Sequence, residues 1–166
     1  SYIGDLEKKL KKKKVPKPVQ RFIEEHLKEG KRFLLFVPRI TLLGPIEAAL
    51  RRQFPNAKFE TVSSKELYRQ ERIAKMRAEE LDFLVTTTIL ERGVTFPGVD
   101  VCVVNAHEEE FSREVLVQIA GRVGRTAECP TGEVVYFHNG KTKAMVQAVR
   151  EIEDLNRQAF LGREHG

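Results

Sequence analysis

The residues of this chain best placed to do chemistry are Gln118, Arg122 and Arg125, in the run Gln118-Ile119-Ala120-Gly121-Arg122-Val123-Gly124-Arg125. On a helix of 3.6 residues per turn they stand at i, i+4 and i+7, so one stripe carries an amide and two guanidinium groups. Arginine's planar fork stays charged and can bond two phosphate oxygens at once, which makes a polyphosphate the natural ligand of such a stripe. Gly121 and Gly124 each weaken a helix by about 1 kcal/mol relative to alanine, a loss that makes sense where the backbone must come close to something.

Three further segments carry groups suited to phosphates. Residues 86–95 (Thr86-Thr87-Thr88-Ile89-Leu90-Glu91-Arg92-Gly93-Val94-Thr95) leave an apolar strand and enter a short helix, which brings hydroxyls and free amides to a helix N-terminus. Pro38-Arg39-Ile40-Thr41 closes another apolar run with a cation, and Ser63-Ser64 closes a third with hydroxyls. Gly140-Lys141-Thr142 looks like the end of a phosphate-binding loop, but that loop requires a glycine five residues earlier, where Val135 stands. It reads as a strand-to-helix turn. With no other Gly-Lys-Thr or Gly-Lys-Ser, and no Asp-Glu pair closing an apolar strand, the sequence holds neither a phosphate cradle nor a catalytic base of its own.

The elements that must position these groups can be read from hydrophobic periodicity. Residues 18–29 repeat apolar positions at Val19, Phe22, Ile23 and Leu27 and stop at Gly30, a helix pattern. Residues 32–37 form a continuous apolar run closed by Pro38, as in a strand buried on both faces. A helix follows through Leu50 to Phe54, then a strand over 57–62. The capping-box pattern at Ser63-Ser64-Lys65-Glu66 launches a charged helix to about Glu79. Strands are predicted at 82–86, 99–104 and 132–137, with a short helix over 88–92, the arginine helix capped by Ser112, and a closing helix over 142–159 whose apolar positions are Met145, Val149, Ile152 and Leu155. Alternating helices with uniformly apolar strands predict an α/β fold, a parallel sheet covered on both faces. Ligands of such sheets collect beyond the carboxyl ends of the strands, so the loops after Val37, Val62, Val85 and Val104 are where function is to be sought.

Composition bounds the rest. The 166 residues suffice for one domain, 41% are hydrophobic and 32% charged, and no apolar run reaches membrane-span length. No secretory signal opens the chain, which points to the cytoplasm. Cys102 and Cys129 are too isolated for a disulfide framework or zinc site; they read as a buried thiol and a loop thiol. The net charge of +5 is localised. Seven of the 29 basic residues and two of the 24 acidic ones fall in residues 1–20, so the remaining 22 of each sign cancel. Nucleic-acid contact by the body must therefore be a local site, while the lysine run can touch phosphates non-specifically or serve as a solvated linker. The acidic stretch His107-Glu108-Glu109-Glu110 reads as a solvated loop, with a docking edge as the sharper alternative.

Taken in order, these segments resemble the second motor domain of superfamily two helicases. Residues 33–40 resemble motif IV, residues 86–97 motif V, and residues 118–125 motif VI in its QxxGRxGR form; the likeness spans about residues 18–160. Within the superfamily, residues 87–95 and Gly132-Glu133-Val134-Val135-Tyr136-Phe137-His138 are most similar to the late competence helicase-like ATPases of naturally transformable Gram-positive bacteria. The resemblance implies a RecA-like parallel sheet with helices on both faces, the second motor domain of a P-loop NTPase that lacks its own P-loop. Residues 1–17 would be a lysine-rich interdomain linker and residues 18–166 the domain. Arg122 and Arg125 would act as arginine fingers, and Gln118 would couple nucleotide to the other domain. Gly93 and Thr95 would lie near the nucleotide, although many relatives have an acidic residue where Thr95 stands and a further arginine where Ile119 stands. Pro38, Arg39, Ser63, Thr86 and Thr87 would hold phosphates of single-stranded DNA. ATP and Mg2+ would be bound mainly by the first RecA-like domain of the full-length protein, which becomes a partner of this one. Other competence proteins and peripheral association with the inner face of the membrane at a DNA uptake channel are also implied. Two alternatives stay open: the same half of a primosomal replication-restart helicase, and a non-enzymatic nucleic-acid or protein-binding module on an inactive motor fold.

Overall fold

The computed structural model describes residues 1–63, 67–87, 95–123 and 132–165, with the side chains of 159, 160 and 162–165 also left undescribed. The apolar runs form five strands: β1 (Phe33–Phe36), β2 (Phe59–Val62), β3 (Phe83–Thr86), β4 (Asp100–Val104) and β5 (Val134–Phe137). They make one sheet in the order β2-β3-β1-β4-β5, and every pairing is parallel. β1, β3 and β4 occupy the centre and are buried on both faces, which is why their sequences show no period-two alternation. β5, at one edge, is only partly covered.

Alternate strand residues feed two cores. On one face, Phe33, Leu35, Val85, Cys102 and Val104 pack under α1 (Leu6–Lys11), α2 (Lys17–Glu29) and α3 (Leu43–Gln53). On the other, Leu34, Phe36, Leu84, Val101 and Val103 pack under α4 (Arg69–Arg77), α5 (Arg113–Arg122) and α6 (Lys143–His165). Local signals fix the helix ends. α2 starts beyond Pro16, takes Pro18 in its first turn, where a missing N–H costs nothing, and stops at Gly30 in the left-handed conformation. Ser112 caps α5 by accepting from the Val115 N–H at 3.2 Å. Across the first core, the register sets Phe59, Phe83 and Phe33 side by side, stacked at centroid distances of 4.7 and 4.6 Å, with Phe22 of α2 edge-on to Phe33.

Several details depart from the sequence reading. α4 begins at Arg69, after a turn at Leu67–Tyr68, rather than directly from the capping-box serines, of which Ser64 and its neighbours 65–66 lie outside the described residues. The short helix over 88–92 and Cys129 also lie outside them. In α6, Met145 and Ala148 are buried but Val149 and Leu155 are exposed, because this helix runs beside the edge strand and beyond it. The lysine-rich segment is folded onto the domain: Ser1 to Ile3 lie parallel to the edge of β5, with Tyr2 bridged to His138, and Ile3, Leu6, Leu10 and Val15 enter the first core. Cys102 is the buried thiol expected, its ionisation pushed well up by burial.

A buried pair ties α2 to the start of β4. His26 places Nε2 2.7 Å from Asp100 Oδ2 and Nδ1 2.8 Å from the Phe22 carbonyl, while Asp100 Oδ1 accepts from the Glu133 N–H at 2.8 Å. The imidazole also stacks on Phe22.

Candidate functional site

The strand register gathers one set of predicted residues at the carboxyl edge of the sheet. Phe36, Thr86 and Val62 pair side by side, so Pro38 and Arg39, Thr87, and Ser63 follow on adjacent strands. Pro38, Ser63, Thr86 and Thr87 are buried there, and the Thr86 hydroxyl donates to the Thr87 carbonyl at 3.3 Å. The side chain among them that reaches solvent is Arg39.

Arg39 is held by carboxylates. Its Nε donates to Glu108 Oε1 at 2.8 Å and its Nη2 to Glu108 Oε2 at 3.3 Å, a bidentate pair; Nη2 also reaches Glu7 of α1 at 2.9 Å, and Nη1 reaches Thr41 at 3.3 Å. Glu110 lies 3.7 Å away. Glu108, and after it Glu7, raise the guanidinium further above its ordinary range, so it stays charged. Burial pushes the Glu108 carboxyl up, but hydrogen bonds from Arg39 and Asn105 outweigh it and hold the group below the usual carboxylate range. The acidic stretch read as a solvated loop is thus partly buried and does structural work. Asn105 ends β4 at φ 58° and donates to Glu108 Oε2 at 2.7 Å. Sequence reasoning missed Glu108, Asn105 and Glu7 as partners of Arg39. An asparagine closing an apolar strand three residues before a glutamate was the available signal, since asparagine tolerates the left-handed conformation and bonds locally.

The second set stands at the opposite, amino edge. α5 starts beside the end of β4 and runs back along the sheet, so Arg122 arrives near the beginning of β4, where its carbonyl accepts from the Phe96 N–H at 2.7 Å and the Phe96 carbonyl accepts from Val99 at 3.3 Å. Thr95 is therefore a near neighbour of Arg122, and it borders a recess of about 390 Å³ shared with Arg32, Arg77 and Glu79. Gln118 is exposed and Arg122 half-buried. Arg122 has no ion-pair partner among the described residues. A methyl group at Gly121 would meet open space, so within the described chain nothing makes the close approach that this glycine suggests. Among the described glycines, Gly132 is the one with close neighbours: a Cβ there would lie 3.2 Å from both the Val123 and Val99 carbonyl oxygens. Gly93, Gly124 and Arg125 lie outside the described residues. The carboxyl-edge rule thus locates the strand-end residues but not Arg122 and Thr95.

A guanidinium with no ion-pair partner among the described residues, and a neighbouring hydroxyl, suit the anionic oxygens of a nucleotide. Among the described residues no three His, Cys, Asp or Glu side chains converge as a metal set, and no helix is long and apolar enough to cross a membrane.

A five-stranded parallel sheet of this order, with Arg122 closing the helix after β4, is that of the second RecA-like domain of a helicase motor, and the chain belongs to the family described as helicase conserved C-terminal domain, whose model matches residues 14–127. It is similar to competence protein ComFA of Bacillus subtilis, 42% identical over 95% of this chain and 34% of that protein, and to ComFA of Streptococcus pneumoniae, 39% identical over 96% and 37%. The chain thus spans about a third of the length of these relatives. UvrABC system protein B of Chlorobium phaeobacteroides is 30% identical over 84% of this chain and 21% of that protein. Among solved structures, domain 2 of the DEAD-box helicase Mss116p, bound to an RNA duplex, superposes with a TM-score of 0.61 at 22% identity, covering 93% of this chain and 59% of that one. The E. coli DEAD-box protein SrmB gives 0.60 at 18%, covering 82% and 74%. Both likenesses concern the fold.

Proposed function

We propose that this chain is the second motor half of an ATP-dependent DNA translocase that drives transforming DNA into the cell, and that Arg122 and Arg125 act across a domain boundary on a nucleotide held by the first motor half. The observation that carries the reading is Arg122 itself. It is presented beside Thr95, with no carboxylate partner among the described residues, next to an exposed Gln118 and an open Gly121. Arg39, by contrast, is saturated with acceptors from its own chain.

When bound between the halves, ATP would supply the phosphoryl group, which passes to water as ADP leaves, and Mg2+ would offset its charge. The part of this chain is electrostatic: Arg122 and Arg125 neutralise charge spreading over the phosphoryl oxygens, Gln118 reports their engagement to the other half, and Thr95 with Gly93 borders the nucleotide. At the other edge, the strand-end segments at Pro38-Arg39, Ser63 and Thr86-Thr87 would face phosphates of single-stranded DNA without reading bases, with Arg39 held in place by Glu108 and able to reach a phosphate only by giving up its contact with Glu7. Closing and opening of the cleft would shift this grip relative to that of the first half. Support for a competence role comes from the likeness to ComFA along nearly the whole chain; docking of other competence proteins and association with the inner membrane face at an uptake channel belong to the same proposal.

The test is enzymatic. The isolated chain should show no appreciable ATP hydrolysis, and in the complete protein Arg122→Ala or Arg125→Ala should cut DNA-stimulated hydrolysis by about a thousandfold while sparing DNA binding. Hydrolysis by the isolated chain at the rate of a complete motor, or equal loss of both activities in the variants, refutes the finger roles.

A further inference from the structure

The net charge of the chain sits on one ordered ledge. Leu6 and Leu10 of α1 and Val15 beyond it are buried in the first core and pin the segment to the body, with the Val15 N–H donating to Gln53 of α3 at 2.8 Å. Lys8, Lys9, Lys11, Lys12, Lys13 and Lys14 are all exposed, and among the described residues none of them has a carboxylate within ion-pairing distance. Arg52 of α3 donates to the Lys12 carbonyl at 3.4 Å and brings a further cation to the border.

The turn that ends α1 is built around a residue poorly suited to it. The Lys14 N–H bonds the Lys9 carbonyl at 3.2 Å and the Lys13 N–H bonds the Leu10 carbonyl at 2.9 Å, a closure that requires a left-handed residue at position 13. Glycine is relaxed there; lysine, at φ 56°, is strained. The closure places a lysine between Lys12 and Lys14, on a segment that packing holds to the body. Glu7 on the same helix reaches Arg39 at 2.9 Å, so the ledge is continuous with the carboxyl edge of the sheet.

We infer that α1 and its closing turn form a second, sequence-independent binding surface for the phosphate backbone of single-stranded DNA, centred on Lys13. It rests on the function proposed above for its ligand, but uses none of the residues assigned to the nucleotide or to the strand-end grip. A regular polyanion suits a ledge of exposed ammonium groups, which need only displace counterions to bind it. An anionic bilayer suits it less. Every apolar side chain between Asp5 and Lys17 is turned inward, leaving none to enter the acyl layer as interfacial helices require.

Binding of a fluorescent dT20 oligonucleotide to the 166-residue chain, followed by anisotropy across a salt series, tests this. Each phosphate neutralised contributes about −0.7 to the slope of log K against log salt, so the combined substitution K11Q/K12Q/K13Q/K14Q should make the slope shallower by about 2 or more and cost at least about tenfold in affinity at low salt. Lys13→Gly gives a signature that damage to the fold cannot imitate: its melting temperature should equal or exceed that of the parent, because strain is relieved, while affinity falls by about fivefold as one contact is lost. Retention of affinity and slope in folded variants of both kinds overturns the inference. So does a pattern in which these substitutions abolish binding to phosphatidylglycerol vesicles but leave dT20 binding intact. Failure here leaves the Arg122 and Arg125 experiment untouched.

Discussion

Asp100→Ala should unfold the chain far more readily than its size suggests, and should weaken the footing of Arg122. Asp100 is nine-tenths buried and serves two partners, His26 through Oδ2 and the Glu133 N–H through Oδ1. Truncation leaves the buried His26 Nε2 and the partly buried Glu133 N–H without their acceptor, each loss costing about 1–3 kcal/mol, and breaking a buried pair like that of His26 typically costs about 3–5 kcal/mol. For a domain of this length, about 2–4 °C of melting temperature goes with each kcal/mol, so Asp100→Ala should melt roughly 6–20 °C lower. Asp100→Asn separates lost hydrogen bonding from lost volume. Its carbonyl oxygen still accepts from Glu133, and its amide can donate to Nε2 of a His26 whose Nδ1 serves the Phe22 carbonyl, so the cost should be only about 1 kcal/mol. Urea unfolding followed by circular dichroism measures all three proteins. An alanine variant within 1 kcal/mol of the parent, or an asparagine variant as damaged as the alanine one, refutes the argument that this pair anchors α2, β4 and β5.

Two other perturbations act on contacts of the same domain. Gly132→Ala would press a methyl group against the Val123 and Val99 carbonyls, both backbone and unable to swing away, so a loss of about 1–3 kcal/mol is expected in the same unfolding assay; a neutral result would mean that the start of β5 shifts freely. Stability should also fall in acid in two limbs. Burial lowers the His138 ionisation below its ordinary value, and Gly140 N–H donates to its Nδ1, so its contribution is present above about pH 6.5 and is lost as pH falls through its lowered value. The depressed Glu108 carboxyl contributes above about pH 4.5 and loses that contribution as pH falls below it. Melting curves from pH 8 to 3 should show both limbs, and Glu108→Gln should shrink the lower one, to which the depressed Glu114 also contributes; an unchanged lower limb would show that the ion pair of Glu108 with Arg39 contributes nothing.

Most of the sheet was legible because its central strands are long apolar runs flanked by Pro38, Gly30 or Pro97-Gly98, signals that act over a few residues. Helix periodicity likewise located α2, α3 and α5, together with the Ser112 cap. What stayed hidden depends on distant residues. Leu6, Leu10 and Val15 read as islands in a lysine run, and only the groove beside α3 gives them a core to enter. Arg39 looked free because Glu7 and Glu108 stand 32 and 69 residues away in sequence. His26 and Asp100, 74 residues apart, are each unremarkable in local pattern. The stripe Gln118–Arg122 was legible as chemistry, but its address at the amino edge follows from the direction in which α5 runs back along the sheet. Local pattern alone does not give that direction.

The placement of α5 sets a lever. Its ten residues rise about 15 Å from Ser112, close to the loop whose Glu108 orients Arg39, to Arg122 at the far edge of the sheet. A rigid rotation of the domain by about 15° around its Arg122 end would carry a point one helix length away, at the Arg39 edge, through roughly 4 Å. With the helix itself as the arm, a small swing at the arginine end would become an ångström-scale displacement at the other without any bond inside the domain having to break.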